Sequence, residues 1–136
     1  MKKALKVIGI TAAGIVTVPV LLVILLIILW ISFEIFGMAV NHINTDIQTD
    51  GLRSYLTDSI SDIDIVSVHS ETGNTGNGNH VDSVSDITFT SGLSKDEIYG
   101  ILENKYKYYR LSENETGEYR VYLCTSSPFS DNIEGH

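Results

Sequence analysis

Residues 7–33, VIGITAAGIVTVPVLLVILLIILWISF, contain no charged side chain across 27 consecutive positions. As an α-helix this stretch is about 40 Å long, more than the roughly 30 Å thickness of a bilayer's hydrocarbon core. It therefore predicts a transmembrane helix with length to spare, and the rest of the chain reads as a small domain attached to it. A cleaved signal peptide is the competing reading, with Gly37 and Ala39 before Val40 as the small-residue cleavage site. Signal-peptide apolar cores run to about 7–15 residues, so the length favours an uncleaved anchor.

Within the anchor, Gly9, Ala13 and Thr17 recur every four residues and share one helix face. Small residues on one face let two membrane helices approach closely, which makes this a candidate packing face for a homodimer through the transmembrane helix. Pro19 removes a backbone hydrogen bond and predicts a kink or tilt that helps fit the surplus length. Trp30, Phe33 and Phe36 read as an aromatic belt at the outer interface.

The charges are divided as sharply as the hydropathy. Lys2, Lys3 and Lys6 precede the span, and all 17 acidic residues lie at or beyond Glu34, so the remaining six basic residues leave the later segment at −11. Lys and Arg close to a span stay on the cytoplasmic side. The predicted arrangement is a single-pass cell-membrane protein with its N-terminus in the cytoplasm and its C-terminal domain outside. A domain so acidic has no footprint for nucleic acid, which needs clustered Lys and Arg. Cys124 is the only cysteine, which excludes a disulfide-stapled secreted domain and leaves a small buried hydrophobe as its ordinary role.

Beyond the span, Phe36, Val40, Ile43 and Ile47 form one stripe of an amphipathic helix, and Leu52, Tyr55, Leu56 and Ile60 form a second, displaced in phase around Asp50-Gly51. The pattern predicts a juxtamembrane helical segment over 34–61 with a break or bend near Gly51. The period then shortens. Ile63–Ser70 and Ser83–Thr90 read as strands, joined by the Gly/Asn-rich ETGNTGNGNHVD, a long mobile hairpin tip. Ser94 and Glu97 form a capping box that opens a helix with Ile98, Ile101, Leu102 and Tyr106 on its apolar face. Lys107–Ser112 and Tyr119–Thr125 read as a second hairpin, turning at Asn114-Glu115-Thr116-Gly117. On the last strand Tyr119, Val121 and Leu123 share one face and Arg120, Tyr122 and Cys124 the other. The fold class is α+β: a single N-terminal transmembrane helix, a juxtamembrane helix and a small ββαββ antiparallel-sheet domain. The segments are a basic cytoplasmic flank (1–6), the span (7–33), the juxtamembrane segment (34–61), the extracytoplasmic domain (62–125) and a flexible tail (126–136).

No residue pattern names a reaction. The four histidines, His42, His69, His80 and His136, have no paired ligand spacing. Asp58, Asp62, Asp64, Asp82 and Asp86 are acidic enough for calcium but lack the EF-hand spacing, so they read as a solvated face. There is no GxSxG, Cys124 has no His at a predictable spacing, and the Gly-rich loop lacks the Lys-Ser/Thr ending of a phosphate cradle. Catalytic, metal and cofactor residues are therefore left unassigned. Tyr106, Tyr108, Tyr109, Tyr119 and Tyr122 cluster on the second hairpin. Strand alternation favours core and cross-strand packing for this cluster, and the alternative is a binding surface formed by Tyr108, Tyr109 and Tyr122. Asn114-Glu115-Thr116 is also a glycosylation sequon.

Two resemblances accompany these residues. GLSKDEIYGIL (92–102) is similar to the helix opening of small envelope lipoprotein domains of the outer-membrane-assembly type, although no lipidation cysteine follows the apolar segment. The plan of an N-terminal apolar helix running into a helix and a sheet resembles type IV pilins, which carry a Gly-Phe cleavage site before the apolar segment and a Glu shortly after that site. Here Glu34 lies at the other end. The sequence points first to a non-enzymatic binding or interaction module, such as an accessory subunit of a membrane complex with a protein partner in the membrane or envelope. A cell-envelope enzyme with a dispersed site and a pilin-like assembly subunit are the alternatives.

Overall fold

The computed structural model describes residues 17–76, 80–130 and 132–135 in full, and residues 2–16 as helical backbone. The Gly9 and Ala13 part of the expected packing face, and the loop tip at 77–79, lie outside the described residues. The protein is α+β. Helix α1 (Lys2–Ser59) is followed by β1 (Asp64–Gly73), β2 (Asp82–Thr90), α2 (Lys95–Glu103), β3 (Arg110–Glu113) and β4 (Tyr119–Ser126). The chain divides into two compact units, Met1–Phe36 and Gly37–His136.

In the first unit the helix is long and apolar enough, by length and composition, to cross a membrane. Its large side chains from Val18 to Phe33 are exposed around the whole circumference, unlike those of a helix in a soluble core. Pro19 sits inside the helix without ending it.

In the second unit four antiparallel strands form an open sheet in the order β1-β2-β4-β3. A bulge at Val66 interrupts the pairing of β1 with β2. The β3–β4 turn closes on Gly117, whose φ of +79° is open to glycine at little cost. At the other sheet-proximal turn, the side chain of Asp62 accepts from the Gly92 amide and the Ser91 hydroxyl, which holds its carboxyl below the ordinary carboxylate value. Ser94 and Glu97 close the capping box at the start of α2.

One face of the sheet carries the core. Ile87, Phe89, Tyr119, Val121 and Leu123 cluster with Leu52, Leu56 and Ile60 of α1 and with Ile98 and Leu102 of α2. The Tyr55 hydroxyl donates to the Ile101 carbonyl at 2.7 Å and that of Tyr119 to the Leu93 carbonyl at 2.9 Å, which satisfies the polar ends of these two tyrosines.

One expectation is corrected here, and one apolar stripe is found away from the sheet. The break at Asp50-Gly51 is absent, and α1 runs through it to Ser59. A helical glycine costs about 1 kcal/mol, whereas fully burying a leucine contributes about 1.5–3 kcal/mol. Leu52 and Leu56, on either side of the next turn, are both buried, so packing outweighs propensity. The first apolar stripe is the one turned away. Ile43 and Ile47 are 59% and 66% exposed, while Thr45 and Thr49 are buried against the sheet. The reason lies in β2, which presents hydroxyls at this level. The Thr45 and Ser83 hydroxyls lie 2.9 Å apart and those of Thr49 and Ser85 2.7 Å apart. Gln48 donates to the Ser83 carbonyl at 3.1 Å and the Ser85 hydroxyl at 3.0 Å. A polar helix face is what this part of the sheet can pair, since an apolar one would leave those hydroxyls unsatisfied.

The segment after β4, which composition alone gives no reason to hold in place, is tied to the same helix. Asn41 donates to the Phe129 carbonyl at 2.9 Å and accepts from the Phe129 amide at 3.0 Å. Phe129 also packs 3.5 Å from where a Cβ on Gly37 would stand.

These packing assignments have measurable consequences. Nothing lies within 4 Å of a Cβ added at Gly51, so Gly51→Ala is expected to raise stability by about 0.5–1 kcal/mol in thermal unfolding of the detergent-solubilised chain. A loss of stability would mean the helix is broken there. Leu56→Ala is expected to cost about 2–5 kcal/mol, and Ile47→Ala to stay within about 0.5 kcal/mol. The reverse order would return the first stripe to the core.

Candidate functional site

The strand alternation that buries Tyr119, Val121 and Leu123 turns Arg120, Tyr122 and Cys124 to the opposite, uncovered face of the sheet. Register then decides their neighbours. Arg110 of β3 stands opposite Tyr122, and Asp86 of β2 stands opposite Tyr122 on the other side. At one end of this face Tyr108, Tyr109, Tyr122, Lys107, Arg110, Thr75 and Cys124 line a cleft of about 470 Å³. The three tyrosines singled out in the sequence thus meet in one place. Tyr106 and Tyr119 are taken up by packing instead, Tyr106 edge-on to Tyr55 with ring centroids 5.6 Å apart.

The tyrosines differ in role. Tyr108 is 72% exposed, with the Lys107 ammonium 5.3 Å from its ring centroid. Tyr109 is half-buried, stacked on Tyr99, and its hydroxyl donates to the Tyr99 carbonyl at 3.2 Å. Burial, reinforced by Tyr99 and Glu103, pushes the Tyr109 phenol up to about 12. Tyr122 lies under the Arg110 guanidinium, 6.0 Å from ring centroid to Cζ, and burial raises its phenol as well. Burial likewise raises the Cys124 thiol, and the nearby Asp82 carboxylate adds to the shift. A nucleophilic cysteine needs the opposite shift, toward the thiolate at neutral pH. The cleft thus combines three tyrosines and a thiol with two cations.

A second cleft on the same face, about 560 Å³, is lined by His69, Asp86, Glu113, Glu118 and Arg120 among other polar residues. Its charge is the reverse of the first. Asp86 and Arg120 form a bidentate ion pair across the β2–β4 ladder, which holds the guanidinium firmly charged.

Three of the five aspartates considered for calcium are occupied separately. Asp62 is held by Ser91 and Gly92, Asp86 by Arg120, and Asp82 by the Thr75 hydroxyl and by His80 at 3.0 Å. No group of three His, Cys, Asp or Glu side chains suited to a metal occurs among the described residues. His42 pairs with Glu134 at 2.7 Å, and His69 lies 3.6 Å from Glu71. Of the helix-packing residues, Thr17 lies in α1 at the start of the fully described part.

Sequence reading missed Lys107, Arg110, Thr75 and Cys124 as cleft residues. A signal for the first two was present: KYKYYR (105–110) places three cations in six positions of an otherwise acidic domain. Comparison with protein-family models, curated proteins and solved structures finds no match.

The state of Cys124 can be checked directly. The folded protein is expected to react with iodoacetamide more slowly at pH 7.5 than a free cysteine, with a rate that climbs only above the ordinary thiol value of about 8.5. Denaturation should restore ordinary reactivity. A folded rate above that of free cysteine would make the thiol a nucleophile candidate.

Proposed function

We propose that this protein is a membrane-anchored extracytoplasmic binding module, an accessory subunit whose ligand occupies the tyrosine-lined cleft. In this reading 7–33 spans the membrane with the N-terminus in the cytoplasm, 34–61 is the juxtamembrane helical segment and the ββαββ domain stands outside. The observation that carries the proposal is the convergence of Tyr108, Tyr109 and Tyr122 on one cleft of the uncovered sheet face. Exposed tyrosines supply contact area and a polar tip at low conformational cost, and a cleft of this volume falls in the size range of small-molecule sites. The raised Cys124 thiol and the separately paired aspartates favour binding over catalysis. The anchor is supported by a helix apolar enough to cross a bilayer, and the orientation by the three lysines on its N-terminal flank.

Orientation is tested by thiol labelling. In a Cys124→Ser background, Glu115→Cys places a thiol on the exposed β3–β4 turn. A membrane-impermeant maleimide added to intact cells is expected to label it. Labelling only after the membrane is opened would put the domain in the cytoplasm and overturn the extracytoplasmic assignment.

A further inference from the structure

The charge around the cleft narrows what it takes. The domain that follows the span carries −11, yet none of the seven residues lining this cleft is acidic and two, Lys107 and Arg110, are basic. Among the described residues neither cation is within ion-pair distance of a carboxylate. Each instead stands by a tyrosine ring, Lys107 by Tyr108 and Arg110 by Tyr122. Asp82, whose charge reaches Tyr122 and Cys124, has a side chain only 4% exposed with its oxygens engaged by Thr75 and His80, and Asp86, opposite Tyr122 in the ladder, is paired with Arg120. Both cations therefore keep their donors available, Arg110 a planar fork and Lys107 a mobile point charge.

The other end of the same sheet face limits the length of the ligand. The second cleft sets Asp86, Glu113 and Glu118 against Arg120, so a long polyanion laid across the sheet would run into like charge. A short anion confined to the first cleft avoids it.

We infer that the cleft binds a small oxyanion, carboxylate or phosphate, borne on a flat ring that packs against Tyr108 and Tyr122 while Lys107 and Arg110 hold the charge. This rests on the cleft being the binding site proposed above. The chemistry is complementary at each point: the guanidinium fork matches a two-oxygen acceptor, and the tyrosine faces offer a surface for a ring.

The test uses the full chain in nanodiscs of zwitterionic phosphatidylcholine, with ligand-observed NMR titrations of benzoate, phenyl phosphate, benzamide and acetate. Benzoate, phenyl phosphate or both are expected to bind about tenfold or more tighter than neutral benzamide, and acetate more weakly than benzoate. Whichever ring-bearing anion is preferred identifies the oxyanion. Lys107→Gln and Arg110→Gln, both at exposed positions, are each expected to weaken anion binding about tenfold and leave benzamide unchanged. Tyr122→Leu is expected to weaken all the ring-bearing probes. If benzamide binds as tightly as benzoate and the two glutamine variants change nothing, the oxyanion assignment is wrong, while a loss on Tyr122→Leu would keep the cleft as the site. If no probe responds to Tyr122→Leu, or none binds, the cleft assignment falls as well.

Discussion

The fold of the second unit depends on how α1 seals one face of a four-stranded sheet. The seal has two parts with different physics. Toward its C-terminal end Leu52, Leu56 and Ile60 enter the apolar cluster around Phe89 and Val121, where transfer from water supplies the driving force. One to two turns earlier the same helix offers Thr45, Gln48 and Thr49 to the hydroxyls of Ser83 and Ser85 and to the Ser83 carbonyl. These polar contacts add little net free energy each, but an unmatched partner would be costly, so they fix the register of helix on sheet. Thr72 and Ser127 extend the seam to β1 and to the segment after β4. With one face closed in this way, the opposite face is left open for other uses.

That open face is sorted by charge. The β2–β4 register sets Asp86 and Arg120 within reach of each other across the ladder, and the short β3 brings Arg110 beside Tyr122. The result is an acidic, ion-paired cleft at one end and a basic, aromatic cleft at the other. The second is unusual in a domain with this net charge, because no acidic side chain lines it and both of its cations are exposed. The cleft owes its positive sign to a short run of sequence, KYKYYR.

Much of this was legible in the sequence, for identifiable reasons. The charge-free stretch announces a helix able to cross a membrane because twenty-odd apolar residues have few other uses. The α+β class followed from the change of hydrophobic period after Ile60, and the alternation on β4 sorted Tyr119, Val121 and Leu123 from Tyr122 and Cys124 correctly. Two features were not legible. Asp50-Gly51 looks like a break locally, but the decision lay with the burial of Leu52 and Leu56, which depends on strands more than 30 residues away. Which side of the helix meets the sheet over 36–47 was also hidden, because hydrophobicity alone cannot know that the facing strand carries serines. The cleft was half visible: its tyrosines stood out, while Thr75 and Cys124 joined them only through the sheet register.

The account makes residues 41–59 of α1 part of the domain fold rather than a stalk leading to it. Hydrogen exchange on the full chain in nanodiscs tests this most directly, because it reports which amides open together. The account predicts that amides of 45–58 share the slowest exchange of β2 and β4 and are lost with them in one cooperative opening. Rapid exchange across 45–58 while β2 and β4 stay protected would show a sheet that folds without the helix, and would contradict the central claim.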